Sequence, residues 1–165
     1  MANNFLEQLV AEWYEYQGYF LRRNVKVGKR TAGGHEGELD VVAFHPVTKH
    51  LIHIEPSMDS DNWEKREVRF SRKFEVGRRF IPKLFDGLQV PEKIEQVALF
   101  VYASKVNHPM IGGGRVMIAS EMISDIVKEL KLKPVHASAI PEHLTILRSL
   151  QFVTYYKKDV IEALK

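Results

Sequence analysis

The chain has 165 residues, no cysteine, and a formal charge of +3 from 24 Lys and Arg against 21 Asp and Glu. These values exclude disulfide staples, a thiolate zinc site and a thiol nucleophile, and the length suits one domain that buries roughly 70% of its unfolded surface. The opening MANNFLEQLV has no basic segment ahead of an apolar one and no apolar run nears the ~18 residues of a membrane span, so a soluble, cytoplasmic protein without a membrane partner is expected.

Residues 4–17 predict a helix: Leu6, Leu9, Val10, Trp13 and Gln17 share one face near a period of 3.6, and Gly18 supplies a stop. Asn4-Phe5-Leu6-Glu7 has capping-box spacing, which gives Glu7 a structural role beside any chemical one. Glu7 and Glu12 flank the apolar face on opposite sides. Tyr19 to Val27 reads as a strand, Gly28 to Gly37 as a glycine-rich loop and Glu38 to Phe44 as a second strand. A short turn at His45 to Lys49 then allows a hairpin into a third strand, His50 to Glu55, after which Pro56 lacks a ladder donor.

Asp61 and Glu64 have capping-box spacing again, and they open a helix with the apolar stripe Trp63, Phe70, Phe74, Gly77 and Ile81. From Trp63 to Lys83 this helix holds eight Lys or Arg against three Glu, a local +5 that exceeds the whole-chain charge. Such a face suits phosphates or simple solvation. Gln96 to Ala103, QVALFVYA, predicts a strand buried on both faces and central in its sheet. Beyond it we expect a turn at Gly112 to Gly114, a strand from Arg115 to Ala119, a helix from Glu121 to Leu130 capped by Ser120, a strand near Val135 and a helix from Pro141. The last ten residues fit no single pattern. The order through residue 104 is helix, three strands, helix, strand, an α/β sandwich around a mixed sheet.

Two acids stand inside apolar strands, Asp40 in Leu39-Asp40-Val41-Val42 and Glu55 in His53-Ile54-Glu55. Burying a carboxylate costs free energy unless it is hydrogen-bonded, paired or bound to a cation. Alternation puts Asp40 with Glu38, Val42 and Phe44, opposite Leu39, Val41 and Ala43, and puts Glu55 with Leu51, His53 and Ser57. If the hairpin aligns those faces, the two acids converge and their oxygens suit a hard divalent cation, with Glu7 or Glu12 as third donor. Each also has a plain reading: Asp40 as a backbone cap, Glu55 as a solvated strand end, and His53 as a hydrogen-bonded sheet histidine. His50 and His53, three apart on a strand, point to opposite faces and make no two-histidine site. Gly28-Lys29-Arg30-Thr31 lacks the leading glycine of a phosphate loop, because Arg23 stands there.

Glu7 in a first helix, Gly18-Tyr19, Gly37-Glu38-Leu39-Asp40 on one strand and Ile54-Glu55-Pro56-Ser57 on the next together resemble the PD-(D/E)XK nuclease superfamily, nearest its Holliday-junction resolvase and Mrr-type branch. The likeness covers residues 3–104, with 105–165 as a C-terminal extension of the same single domain. It implies a restriction-endonuclease-like α-β-β-β-α-β core with a mixed sheet flanked by helices, followed by strand and helix additions. It implies a metal-dependent deoxyribonuclease in which Glu7, Asp40 and Glu55 hold Mg²⁺ or Mn²⁺, DNA is the partner and a homodimer is possible. The departure is Ser57, which occupies the catalytic position where the family has lysine. A neutral hydroxyl cannot supply a cation's stabilisation of developing charge. Three outcomes stay open: Lys65 or Lys73 replaces that lysine, with Lys73 favoured; the metal alone suffices; or catalysis is lost and the protein binds nucleic acid or a protein partner. Lys65, Arg66, Arg69 and Lys73 are the expected backbone contacts.

Overall fold

The computed structural model describes residues 4–137 and 139–165. Helix α1 (Phe5–Tyr16) opens where the Asn4 side chain accepts the Leu6 amide at 3.1 Å, satisfying one free amide of the first turn. There follow β1 (Phe20–Lys29), β2 (His35–His45), β3 (His50–Ser57), α2 (Trp63–Leu84), β4 (Glu95–Phe100), β5 (Met110–Ile111), β6 (Gly114–Ile118), α3 (Ala119–Leu130), α4 (Thr145–Tyr155) and α5 (Lys157–Ala163). The six strands form one mixed sheet in the order β1-β2-β3-β4-β6-β5. The β1-β2-β3 meander is antiparallel, while β3, β4 and β6 run parallel, with α2 as the first crossover.

Helices cover both faces. α1, α3 and α4 pack on Val41, Ala43, Ile52, Ile54 and Leu99. On the other side α2 presents Ile81 to Val42, Phe44 and Leu51, and Phe70 and Phe74 to Ala98, Phe100 and Val116. β4 is buried from Gln96 to Phe100 and lies between β3 and β6, as its unbroken apolar run predicts. Among the described residues, no helix is long and apolar enough to cross a membrane.

Several elements differ from expectation for physical reasons. The loop expected from Gly28 to Gly37 is a tight hairpin, because β1 runs on to Lys29, β2 begins at His35, and Gly33 and Gly34, with φ of 90° and 77°, close the turn. The strand expected near Val135 is a 3-10 turn, Val135–Ala137, since a lone valine beside Pro134 offers no alternating apolar face to a sheet edge. Ser120 lies inside α3 rather than capping it, because the Glu121 carboxylate reaches back to the Ile118 amide at 3.0 Å and starts the helix at Ala119. α4 begins at Thr145 rather than Pro141. Its start is set from a distance: the buried Glu12 carboxylate of α1 accepts the Ile146 and Leu147 amides at 2.8 and 3.0 Å. A carboxylate at a helix N-terminus satisfies free amides and complements the helix dipole. Glu12 is thereby committed to the fold.

Candidate active site

β2 and β3 pair from His45↔His50 to Val41↔Ile54, and there the ladder ends. The next opposed residues are Asp40 and Glu55. Instead of meeting a β3 backbone group, the Asp40 amide donates to Glu55 Oε1 at 3.3 Å. On its other side Asp40 also lacks a partner, because Asn24 of β1 adopts φ 51° and drops out of a register that holds from Arg23↔Val41 to Val25↔Leu39. Asn tolerates this left-handed conformation better than most residues. The irregularity shifts the alternation: Leu39 packs in the α2-side cluster with Val42 and Phe44, not with Val41 and Ala43 as strict alternation predicted. It is also why Pro56 is tolerated in an interior strand, since β2 has left the ladder before residue 56 needs a donor.

At this opening the two acids share one cation. Lys73 Nζ, one turn beyond Arg69 on α2, donates to Asp40 Oδ2 at 2.9 Å and also to Glu55 Oε2. Glu55 is fully buried, Asp40 has 14% of its side chain exposed and Lys73 has 32%. Lys73 thus approaches the acid pair from α2, while Ser57, two residues after Glu55, bonds Asp59 instead.

Glu55 has a second support. The buried His53, two residues earlier on the same face, places Nε2 at 2.6 Å from Glu55 Oε1, and its Nδ1 lies 3.2 Å from Gln96 Nε2. The Gln96 amide can only donate there, so His53 Nδ1 accepts and Nε2–H donates to Glu55. Gln96 also donates to the Phe74 carbonyl at 2.9 Å and accepts from Arg78 at 2.7 Å, which completes its bonding. Gly77 of α2 makes room for this array: a Cβ there would stand 2.5 Å from His53 Nδ1.

The electrostatics separate the two carboxylates. Burial raises the pKa of Glu55, but the donors His53 and Lys73 outweigh it and hold the group below the usual carboxylate range. For Asp40, burial first and the neighbouring Glu55 second push the pKa well above that range, and Lys73 opposes them only in part. Burial alone would lower the Lys73 pKa, yet Glu55 and then Asp40 raise it, so the ammonium stays charged. Two carboxylates a few ångströms apart cannot both ionise freely, and Asp40, with fewer donors than Glu55, is the harder of the two to ionise.

No protein-family model, curated protein or solved structure matches the chain.

Of the residues expected here, Asp40, Glu55 and Lys73 come together. Ser57 stands beside them but faces another group, bonding Asp59, with Arg69 Nη2 at 3.5 Å from its hydroxyl. Arg69 also pairs with Asp59 and, at 3.0 Å, with Asp61. Glu7 sits half-buried in the first turn of α1. Among the described residues no three His, Asp or Glu side chains form a metal-binding group, so Glu7 does not complete a set with Asp40 and Glu55. Arg66, expected to touch nucleic acid, is 3% exposed and cannot: it bonds Asp59 Oδ1 at 3.0 Å and the Tyr102 carbonyl at 2.9 Å, with its guanidinium 4.5 Å from the Phe100 ring centre. It ties the chain after β4 to the start of α2. Lys65, Arg69 and Lys73 line a groove of about 440 Å³ between α2 and the start of β2, together with Arg72. Arg72 was missed because alternation along a charged helix face does not tell which cations are spoken for; its signal is the absence of an acid partner among the described residues.

Proposed function

We propose that the protein is a metal-dependent nuclease of restriction-endonuclease-like fold that hydrolyses DNA phosphodiester bonds. The observation that carries this reading is the single ammonium of Lys73 held between Asp40 and Glu55 at the point where β2 and β3 part. Two converging carboxylates, without sulfur donors, fit a hard cation such as Mg²⁺ or Mn²⁺, which commonly takes one or two protein carboxylates and fills its remaining positions with water and phosphate oxygens. The element order through Phe100, helix, three antiparallel strands, helix and a parallel strand, is the order the nuclease core requires.

In this reading Asp40 and Glu55 would hold the ion, and Glu7 stays in the first turn of α1. Such an ion would supply Lewis-acid activation of water and charge stabilisation at the phosphate. His53 fixes Glu55 so that its second oxygen faces the pocket. Lys73, freed from its double ion pair, stabilises negative charge on the phosphate, the task the motif lysine would have. Lys65, Arg69 and Arg72 seat the backbone along the groove, without reading sequence. Asp59 and Asp61 keep Arg69 oriented towards it.

The test incubates purified protein with branched, single-stranded and duplex DNA in Mg²⁺ or Mn²⁺. Cleavage is expected in the wild type and should fall by roughly 10³-fold in Asp40→Asn and in Glu55→Gln, in line with losing the main charge stabilisation of the reaction. Cleavage unchanged from the wild type in both variants would assign the activity to other residues. A second reading, a silent member that binds nucleic acid, is favoured by the engagement of Ser57 with Asp59; binding without cleavage under every metal would select it.

A further inference from the structure

The strand that begins the sheet carries an unusual charge. Arg22, Arg23, Lys26, Lys29 and Arg30 are all exposed, and no Asp or Glu occurs between Glu15 and Glu36. β1 is an edge strand, so among the described residues no strand pairs with its outer side. Lysine and arginine on an edge deter strand-to-strand aggregation, and that role suffices for Arg22, Arg23 and Lys26, the last of which stands across from Glu38. It accounts less well for Lys29, the last residue of β1, and Arg30, the first residue of the turn beyond it. The nearest acid to them in the hairpin, Glu36, is taken by Arg79 of α2 at 2.7 Å.

The tip is built firmly. The Arg30 amide donates to the Gly34 carbonyl at 3.0 Å and the Gly33 amide to the Arg30 carbonyl at 3.1 Å. Gly33 and Gly34 have no atom within 4 Å of where a Cβ would stand, which leaves the backbone open to a close approach. Arg30 lines a small cleft with Arg72 and Arg79, beside Glu36 and Glu75, and Arg72 in turn lines the groove that holds Lys65, Arg69 and Lys73 beside Glu36 and Glu38. The cations, outnumbering the carboxylates among them, therefore run from the hairpin tip to the acid pair along a groove.

We propose that the β1–β2 hairpin tip is a second phosphate-backbone contact, with Lys29 and Arg30 holding the same nucleic-acid strand that Arg72 and Lys73 carry to Asp40 and Glu55. It rests on the nuclease reading for its direction, though not for its charge chemistry. From Asp40 to His35 is five residues of strand, about 17 Å at roughly 3.4 Å each. Backbone charges on one strand of a duplex also recur about every 3.4 Å along the axis. The tip thus engages the backbone about five nucleotides from the bond at the acid pair.

The experiment measures equilibrium binding of a labelled duplex by the full chain in EDTA across a salt series. It compares wild type, a Lys29→Ser/Arg30→Ser double variant and a Lys157→Ser/Lys158→Ser control that removes equal charge from α5. All four residues are exposed, so folding is retained and is checked by circular dichroism. The slope of log K against log salt should fall by about 2, one for each phosphate no longer neutralised, in the hairpin variant and hardly at all in the control. An unchanged slope in both, or an equal fall in both, overturns the proposal. So does a loss of binding to anionic vesicles or polyglutamate with the DNA slope intact, because the partner would then be of another class. Cleavage by the wild type is scored separately: a lowered slope with no cleavage of any DNA sinks the nuclease reading and leaves the arm standing, while cleavage with an unchanged slope does the reverse.

Discussion

In EDTA, Lys73→Met should unfold at a markedly lower temperature than the wild type and should recover much of the loss in Mg²⁺. Removing the ammonium leaves the fully buried Glu55 and the nearly buried Asp40 facing each other without their shared cation. Breaking a buried pair costs about 3–5 kcal/mol, because the remaining charge stays desolvated. Lys73 is about one-third exposed, so the lower end, roughly 3 kcal/mol, applies. For a chain of this size that is roughly 6–12 °C in Tm. A divalent ion binding the folded state restores positive charge to the same spot, so the metal-induced rise in Tm should be larger in the variant than in the wild type. Cleavage should nonetheless drop by about 10²-fold or more even at saturating metal, since the cation that meets the phosphate is gone. Thermal melts with EDTA and with Mg²⁺ check the first part. Equal Tm values for the two proteins in EDTA would show that Lys73 does not balance the acids.

Gly77→Ala should destabilise the protein, although it replaces the poorest common helix former by the best. The helix gain is about 1 kcal/mol. Against it, the new methyl would lie 2.5 Å from His53 Nδ1, 2.7 Å from His53 Cε1 and 2.9 Å from Gln96 Nε2. Neither side chain can give way freely, because His53 is bonded to Glu55 and Gln96 is bonded to Phe74 and Arg78. Overpacking a tight core costs about 1–3 kcal/mol, and losing the His53–Gln96 bond adds about 1. A net loss of about 2 kcal/mol by urea denaturation is the expected result. A stabilised variant would mean that the ring and the amide have room to move.

The sequence pattern conveyed the fold well where burial was simple. The β4 run, apolar at every position from Val97 to Phe100, could only be an interior strand. The His45–Lys49 turn placed β2 and β3 side by side, and the acids in them lay on one side as the two-residue period demands. What stayed illegible came from contacts across the chain. Leu39 and Asp40 both serve the α2 side because Asn24, sixteen positions before Asp40, leaves the ladder. Nothing in Pro141 to Thr145 marks the start of α4, since its amides are satisfied by Glu12. The roles of the α2 cations likewise depended on partners. Arg66 reads like its neighbours in sequence, yet Asp59 and the Tyr102 carbonyl draw it inside, whereas Lys73 meets Asp40 and Glu55. That Lys73, sixteen residues after Ser57 in sequence, reaches the acid pair while Ser57 turns to Asp59 is visible only in three dimensions.

The claim beneath the functional reading is that Asp40 and Glu55 together seat one divalent ion where Lys73 now stands. Calorimetric titration of Mn²⁺ into the wild type and into the Asp40→Asn/Glu55→Gln double variant measures this without any assumption about DNA. One saturable site in the wild type, absent from the double variant under the same conditions, is the predicted result. Equal binding by the two proteins, or none by the wild type at millimolar Mn²⁺, would contradict it.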